Sequence, residues 1–365
     1  MPAFHTSLPD PGTVAPGTIV ATEPFVSDGP PNRAWRVAYT SRSIDDRPIV
    51  VTGLVIIPAG EPPAGGWPIL SWAHGTTGIG DICAPSADTR RSTPARGVLG
   101  AGFAFVATDY EGLGTVGRHP YLVGVSEARS TLDIALAASR VPDWRTGRRV
   151  AVWGHSQGGH AALYTTTIAD DYTEIDVRAV VAGAPPSGLE DFALNDEVTA
   201  LRPFSILVAL AFNAIDPEDA PLDAALSATG VTLAERSTQA CNAELHAAVA
   251  DLPPGAVLTK RPPTDDWLGL LRANDPLSID TPSSVPTLII HGTDDDLIPV
   301  GNSIRVHEKF CELGRRAELW VGEGTDHSTI VSATFPTMMR WISAHMVDPA
   351  PPTVSPPPPV GRTAC

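Results

Sequence analysis

The stretch Gly154-His155-Ser156-Gln157-Gly158 constrains this chain more than any other. It follows the apolar run Val150-Ala151-Val152-Trp153 and precedes Gly159-His160-Ala161-Ala162-Leu163. A Gly-x-Ser-x-Gly pattern in that setting predicts a strand, a sharp turn and a helix. The serine sits at the turn in a strained backbone conformation, its hydroxyl aimed out of a sheet. A side chain at Gly154 or Gly158 would collide with the strand or helix flanking the turn. A hydroxyl so exposed is useful mainly as a nucleophile. It then needs a base, an orienting acid and an oxyanion hole.

The rest of the chain repeats the strand-then-turn setting. Residues 33–40 and 49–58 read as extended segments. Apolar runs at 68–73, 103–108, 149–153, 177–182, 285–290 and 317–321 each end at glycines or acidic residues. Helices are predicted over 126–139 with Ser126 as N-cap, from the nucleophile to about 169, and over 302–313 and 335–346. Apolar strands alternating with helices predict an α/β fold: a mostly parallel sheet covered on both faces, with its chemistry beyond the C-terminal strand ends. Residues 187–283 break the rhythm, with plausible helices at 201–212 and 222–233 and no convincing buried strand. They read as a helical cap inserted into a core of 1–186 and 284–347, in which 1–30 form an N-terminal wrap. Residues 348–365 form a Pro-rich tail whose Pro356-Pro357-Pro358-Pro359 favours extended polyproline.

The base is sought late in the chain, after the last strand, because the order of such sites is nucleophile, acid, histidine. Of ten histidines, His327 in Glu323-Gly324-Thr325-Asp326-His327-Ser328 fits. His155 lies inside the turn and points the wrong way, His160 packs or caps, and His345 sits on the closing helix. The acid comes from Thr293-Asp294-Asp295-Asp296-Leu297-Ile298, with Asp295 first, Asp294 second and Asp296 third; at least two of these form the turn. The oxyanion donors are the backbone N–H groups of Gln157 and of Thr76, in His74-Gly75-Thr76-Thr77-Gly78.

Bulk properties narrow the partners. The net charge of −16 excludes nucleic acid as a partner and opposes anionic membranes; it reads as solubility. No apolar run approaches the roughly 18 residues of a membrane span. The first ten residues lack a basic and an apolar region, so no signal peptide is read there, although an exported mature chain with an added Met1 looks the same. The four cysteines include no Cys-x-x-Cys pair, which argues against a zinc site, and they allow three disulfide pairings. No metal or organic cofactor is required.

Several segments together resemble a known family. Gly-His-Ser-Gln-Gly-Gly-His at 154–160, His-Gly-x-x-Asp-x-x-Ile-Pro at 291–299 and Asp326-His327 resemble the α/β-hydrolases. Cys83-Ala84-Pro85-Ser86, Asp109-Tyr110-Glu111-Gly112-Leu113-Gly114, His119-Pro120-Tyr121-Leu122-Val123-Gly124 and Ser126-Glu127-Ala128-Arg129-Ser130 narrow the resemblance to the secretory lipase family, over residues 30–345 and weakly in the cap. That resemblance implies an exported carboxylic ester hydrolase, often acting on lipids, with a helical cap over the acyl pocket. It implies a disulfide from Cys83 to Cys241, with Cys311 and Cys365 as the second pair. The turn is closer to that of bacterial esterases, and His-Gly-Thr-Thr stands where fungal members carry an acidic residue. The expected reaction is ester hydrolysis through Ser156, His327 and Asp295 and an acyl-enzyme. The alternatives are an acyltransferase or peptidase on the same machinery, and a non-catalytic binding module on the same fold.

Overall fold

The computed structural model describes residues 2–89, 94–259, 264–348 and 360–365; the proline run at 356–359 lies outside them. Among these residues the strands are β1 (Ile19–Phe25), β2 (Asn32–Arg42), β3 (Pro48–Pro58), β4 (Trp67–Ala73), β5 (Ala104–Thr108), β6 (Thr146–His155), β7 (Asp176–Gly183), β8 (Thr287–Gly292), β9 (Ala317–Gly322) and β10 (Val360–Ala364). They form one sheet in the order β1-β2-β3-β5-β4-β6-β7-β8-β9-β10. From β5 across to β9 every pairing is parallel. The edges, β1 to β3 on one side and β10 on the other, join antiparallel. The sheet is therefore parallel through its middle and mixed overall.

Burial explains the pattern. Every residue of β5 and of β8 is buried, as expected of parallel strands covered on both faces. On one face the helices Gly124–Ser139, Gln157–Ile168 and Val300–Glu312 pack through Leu132, Leu163 and Phe310 against Val37, Val106 and Val152. On the other, Ala95–Gly100 and Thr329–His345 pack through Val98, Met338 and Trp341 against Phe105, Trp153 and Trp320. Each such side chain, fully buried, contributes about 1.5–3 kcal/mol.

Five sequence expectations need correction. β1 forms inside the segment read as a wrap, and β10 inside the segment read as a tail; β10 pairs with β9. Ser126 is no N-cap. The helix begins at Gly124, whose N–H donates to Asn274 Oδ1 at 3.1 Å, while Ser126 is buried and its Oγ donates to Glu111 Oε2 at 2.5 Å. The closing helix starts at Thr329 and runs through Pro336. The predicted helix at 222–233 is two, Leu222–Ala225 and Ala228–Ser237, broken where Leu226 turns extended and Ser227 caps the second helix by accepting from Gly230 N–H.

Between β7 and β8 the chain folds into short helices that share an apolar cluster including Phe192, Phe204, Phe212, Leu245 and Trp267. Cys83 is bonded to Cys241 in this segment, and Cys311 to Cys365 beyond β10, the pairings that the resemblance implied.

One buried carboxyl gives a stability test. Asp133, on the helix Gly124–Ser139, accepts from Ser41 Oγ at 2.6 Å and Tyr172 OH at 2.9 Å. Burial pushes it up to about 6, against the opposing effect of those two hydrogen bonds. A folded value above the unfolded one, about 3.9, means that the native state holds its proton longer, so this group's contribution to stability falls as pH rises between the two values. Asp133→Asn lacks that penalty. Urea unfolding of variant and wild type at pH 4 and pH 7 is expected to show the variant gaining on the wild type by on the order of 2 kcal/mol at the higher pH.

Candidate active site

β6 ends at His155 and the next helix begins at Gln157, which leaves Ser156 alone at the turn with φ 56° and ψ −124°. A non-glycine residue held there stores about 1–3 kcal/mol of strain. Its N–H donates to the Gly183 carbonyl oxygen at the end of β7, at 2.8 Å. A Cβ on Gly154 would run into the carbonyl oxygen of Gly158, and one on Gly158 into that of Ala73 at the end of β4. Strand, turn and helix meet at a separation that only glycine permits.

Two loops beyond the neighbouring strand ends carry the other candidates. The loop after β8 and the loop after β9 are tied by Thr293 N–H to Gly322 O and Asp294 N–H to Thr325 O, both at 2.9 Å, and by Gly324 N–H to Thr293 Oγ1 at 2.8 Å. This brings His327 Nδ1 to 2.7 Å from Asp295 Oδ2. Asp295 is buried, whereas Asp294 and Asp296 are exposed. Its Oδ1 accepts from the N–H groups of Leu297 and Ile298, at 3.0 and 2.8 Å, and its Oδ2 also lies 3.0 Å from His291 Nε2. Burial pushes this carboxyl up, but the hydrogen bonds from His291 and His327 outweigh it and hold the group well below the usual carboxylate range. An ionised Asp295 fixes the proton of His327 on Nδ1, so Nε2 carries the lone pair. The His327 side chain keeps 16% exposure while that of Asp295 keeps none, an arrangement that suits a base reaching substrate and an acid shielded from water.

The loop after β4 supplies the oxyanion candidates. A Cβ on Gly75 would lie 3.7 Å from Ser156 Cβ, which places this loop directly against the turn. Thr76 Oγ1 and Tyr121 OH share a hydrogen bond of 2.9 Å. Two residues on, Gly78 pairs with Cys241 as an antiparallel bridge, and Asn242 N–H donates to Thr77 O at 2.9 Å. The Cys83–Cys241 disulfide lies beside that bridge. Gln157 opens its helix, so its N–H has no acceptor within that helix. Its side chain is buried, and its Nε2 donates to Glu127 Oε1 and to His119 Nε2, both at 2.8 Å. His119 can accept because its Nδ1–H donates to Glu111 O at 2.9 Å and burial pushes its pKa down to about 4.

The sequence assigned no role to this polar frame. Glu127 is fully buried; it accepts from Leu122 N–H and pairs with His160 Nδ1, both at 3.1 Å. His160 Nε2 in turn donates to the Asn274 carbonyl oxygen at 2.7 Å. Asp109 accepts from Thr52 Oγ1 at 2.7 Å and Ser86 N–H at 2.8 Å, and His5 Nε2 donates to Ser86 Oγ at 2.9 Å. Part of the signal was present in the motifs at 83–86, 109–114 and 119–130, which hold Ser86, Asp109, Glu111, His119 and Glu127 of this frame. One group of three potential metal ligands occurs among the described residues, His307, Cys311 and Cys365, and both of its sulfurs are committed to the disulfide. No described helix is long and apolar enough to cross a membrane.

Comparison with known proteins bears on the family and the fold. The sequence profile of the secretory lipases matches residues 93–352. Lipase 6 of Candida albicans is 23% identical over 345 residues, covering 85% of this chain and 72% of that protein. Among solved structures, Candida antarctica lipase A superposes with a TM-score of 0.77 at 18% identity over 94% of this chain and 84% of its own. The rice cell wall degrading esterase LipA from Xanthomonas oryzae gives 0.72 at 19% identity, over 91% of this chain and 97% of its own. These two likenesses show an α/β-hydrolase fold, and the profile match covers well over half the chain. The chain belongs to the secretory lipase family and is a carboxylic ester hydrolase.

Proposed function

We infer that the chain cleaves lipid esters with Ser156 as nucleophile, His327 as general base and Asp295 as its orienting acid. The observation that carries this reading is the 2.7 Å contact between His327 Nδ1 and a buried, ionised Asp295, with the His327 carbonyl oxygen 2.6 Å from His155 Nε2, next to the strained turn of Ser156. His327 Nε2 takes the proton of Ser156 as Oγ bonds to the ester carbonyl carbon. The backbone N–H groups of Gln157 and Thr76 hold the resulting oxyanion; one such donor is typically worth about 10²–10³ in rate. The tetrahedral species collapses, the alcohol leaves with the proton from His327, and an acyl-enzyme remains. Water, losing its proton to His327, then releases the acid and restores the serine. We assign residues 187–283 as a cap over the acyl side of the site, and the two disulfides support export to an oxidising compartment.

Diisopropyl fluorophosphate tests the assignment, because an activated serine displaces its fluoride. One equivalent per chain is expected on the peptide containing Ser156, with ester hydrolysis lost in proportion. Labelling of another serine, or full activity after labelling, overturns the reading. A series of p-nitrophenyl esters from acetate to palmitate tests the lipid assignment: rates are expected to hold or rise with chain length, and activity confined to acetate rejects a lipid substrate.

A further inference from the structure

We propose that His155 is a positioning residue that pins the main chain of His327 to the turn carrying Ser156. His155 Nε2 lies 2.6 Å from the His327 carbonyl oxygen, and since a carbonyl only accepts, the ring nitrogen donates. The two rings stand 4.7 Å apart at 52°. The inference rests on His327 being the base.

Three observations support it. First, His327 lies in a loop whose neighbours Asp326 and Ser328 are exposed, and Asp295 fixes only its imidazole. The bond from His155 fixes its backbone, so the base is held at two points. Second, His155 is the last residue of β6, and its backbone is set by pairing with Gly183. Only one peptide separates it from Ser156, so the tie couples nucleophile and base almost directly. Third, a second imidazolium beside His327 would oppose the positive charge that the base acquires. The titratable groups around His155 are His327, Asp295 and His291; burial, then His327, pushes its pKa down to about 4, so it donates as a neutral ring. This histidine is thus neither a second base nor a spare residue of the turn.

The test compares His155→Phe, which keeps a ring and loses the donor, with His155→Gln, whose amide nitrogen reaches the position of Nε2. On a short p-nitrophenyl ester the Phe variant is expected to lose about 10–100-fold in kcat with KM unchanged, since small misplacements of reacting groups carry that cost. The Gln variant is expected to recover most of that loss. Recovery by Gln and not by Phe marks the donor, since Phe keeps the packing of the ring and Gln does not. Wild-type kcat in both variants, or equal losses in both, overturns the proposal. If the Phe variant does not fold, His155→Asn, whose donor stops short of the carbonyl, takes its place in the same comparison. His327→Gln separates the two readings. Full activity in it refutes His327 as base; inactivity beside an unaffected His155→Phe refutes the positioning role alone.

Discussion

Ser156→Ala is expected to lower kcat for p-nitrophenyl butyrate by about 10⁶-fold, with the remaining turnover supplied by the oxyanion donors and by binding. The substitution removes one oxygen and leaves the frame in place. Alanine meets the same strain at φ 56° as serine, and the N–H bond to Gly183 O at 2.8 Å is a backbone bond that survives. The N–H of Gln157 and the buried side-chain contacts of Gln157 are untouched. Thermal unfolding of the variant should therefore match the wild type. A variant that folds and still turns over at the wild-type rate would remove Ser156 from the mechanism.

Asp295→Asn is expected to cost about 10⁴-fold in kcat, and the hydrogen-bond pattern gives the reason. Oδ1 receives two backbone N–H groups, from Leu297 and Ile298, so the amide oxygen of an asparagine is drawn to that side. Its NH₂ then faces His327 Nδ1 and His291 Nε2, donor against donor. His327 escapes by moving its proton to Nε2, which takes away the lone pair that Ser156 needs. Asp294→Asn and Asp296→Asn alter exposed side chains and are expected to leave kcat at the wild-type value. A large loss from either of those two, with Asp295→Asn active, would reassign the acid.

That choice among three adjacent aspartates shows what a sequence can and cannot carry. The strands from β2 to β9 were legible because their side chains are buried, which leaves runs of β-branched and apolar residues. β1 and β10 were not: they are edge strands without a buried residue, and they join the sheet through backbone bonds that any residue can make. Ser126 looked like a cap because serine usually caps, but Asn274, far along the chain, satisfies the helix start instead. Ser156 and the glycines around it announced themselves through local sterics. The partner of His155 lies 172 residues away, and nothing in the turn itself encodes that bond. Burial and the contacts with His327 and His291 separate Asp295 from its neighbours, and both come from the packing of the whole sheet.

The bridge between Gly78 and Cys241, with the disulfide beside it, fixes one point of the segment between β7 and β8 to the end of β4. Asn274, further along the same segment, is held by Gly124 N–H and by His160 Nε2, on the two helices beside the turn. A segment clamped at Cys241 and again at Asn274 cannot separate from the turn without breaking a covalent bond or buried hydrogen bonds. The loop of Thr76, which lies between the clamp at Gly78 and Ser156, therefore keeps its place against the nucleophile.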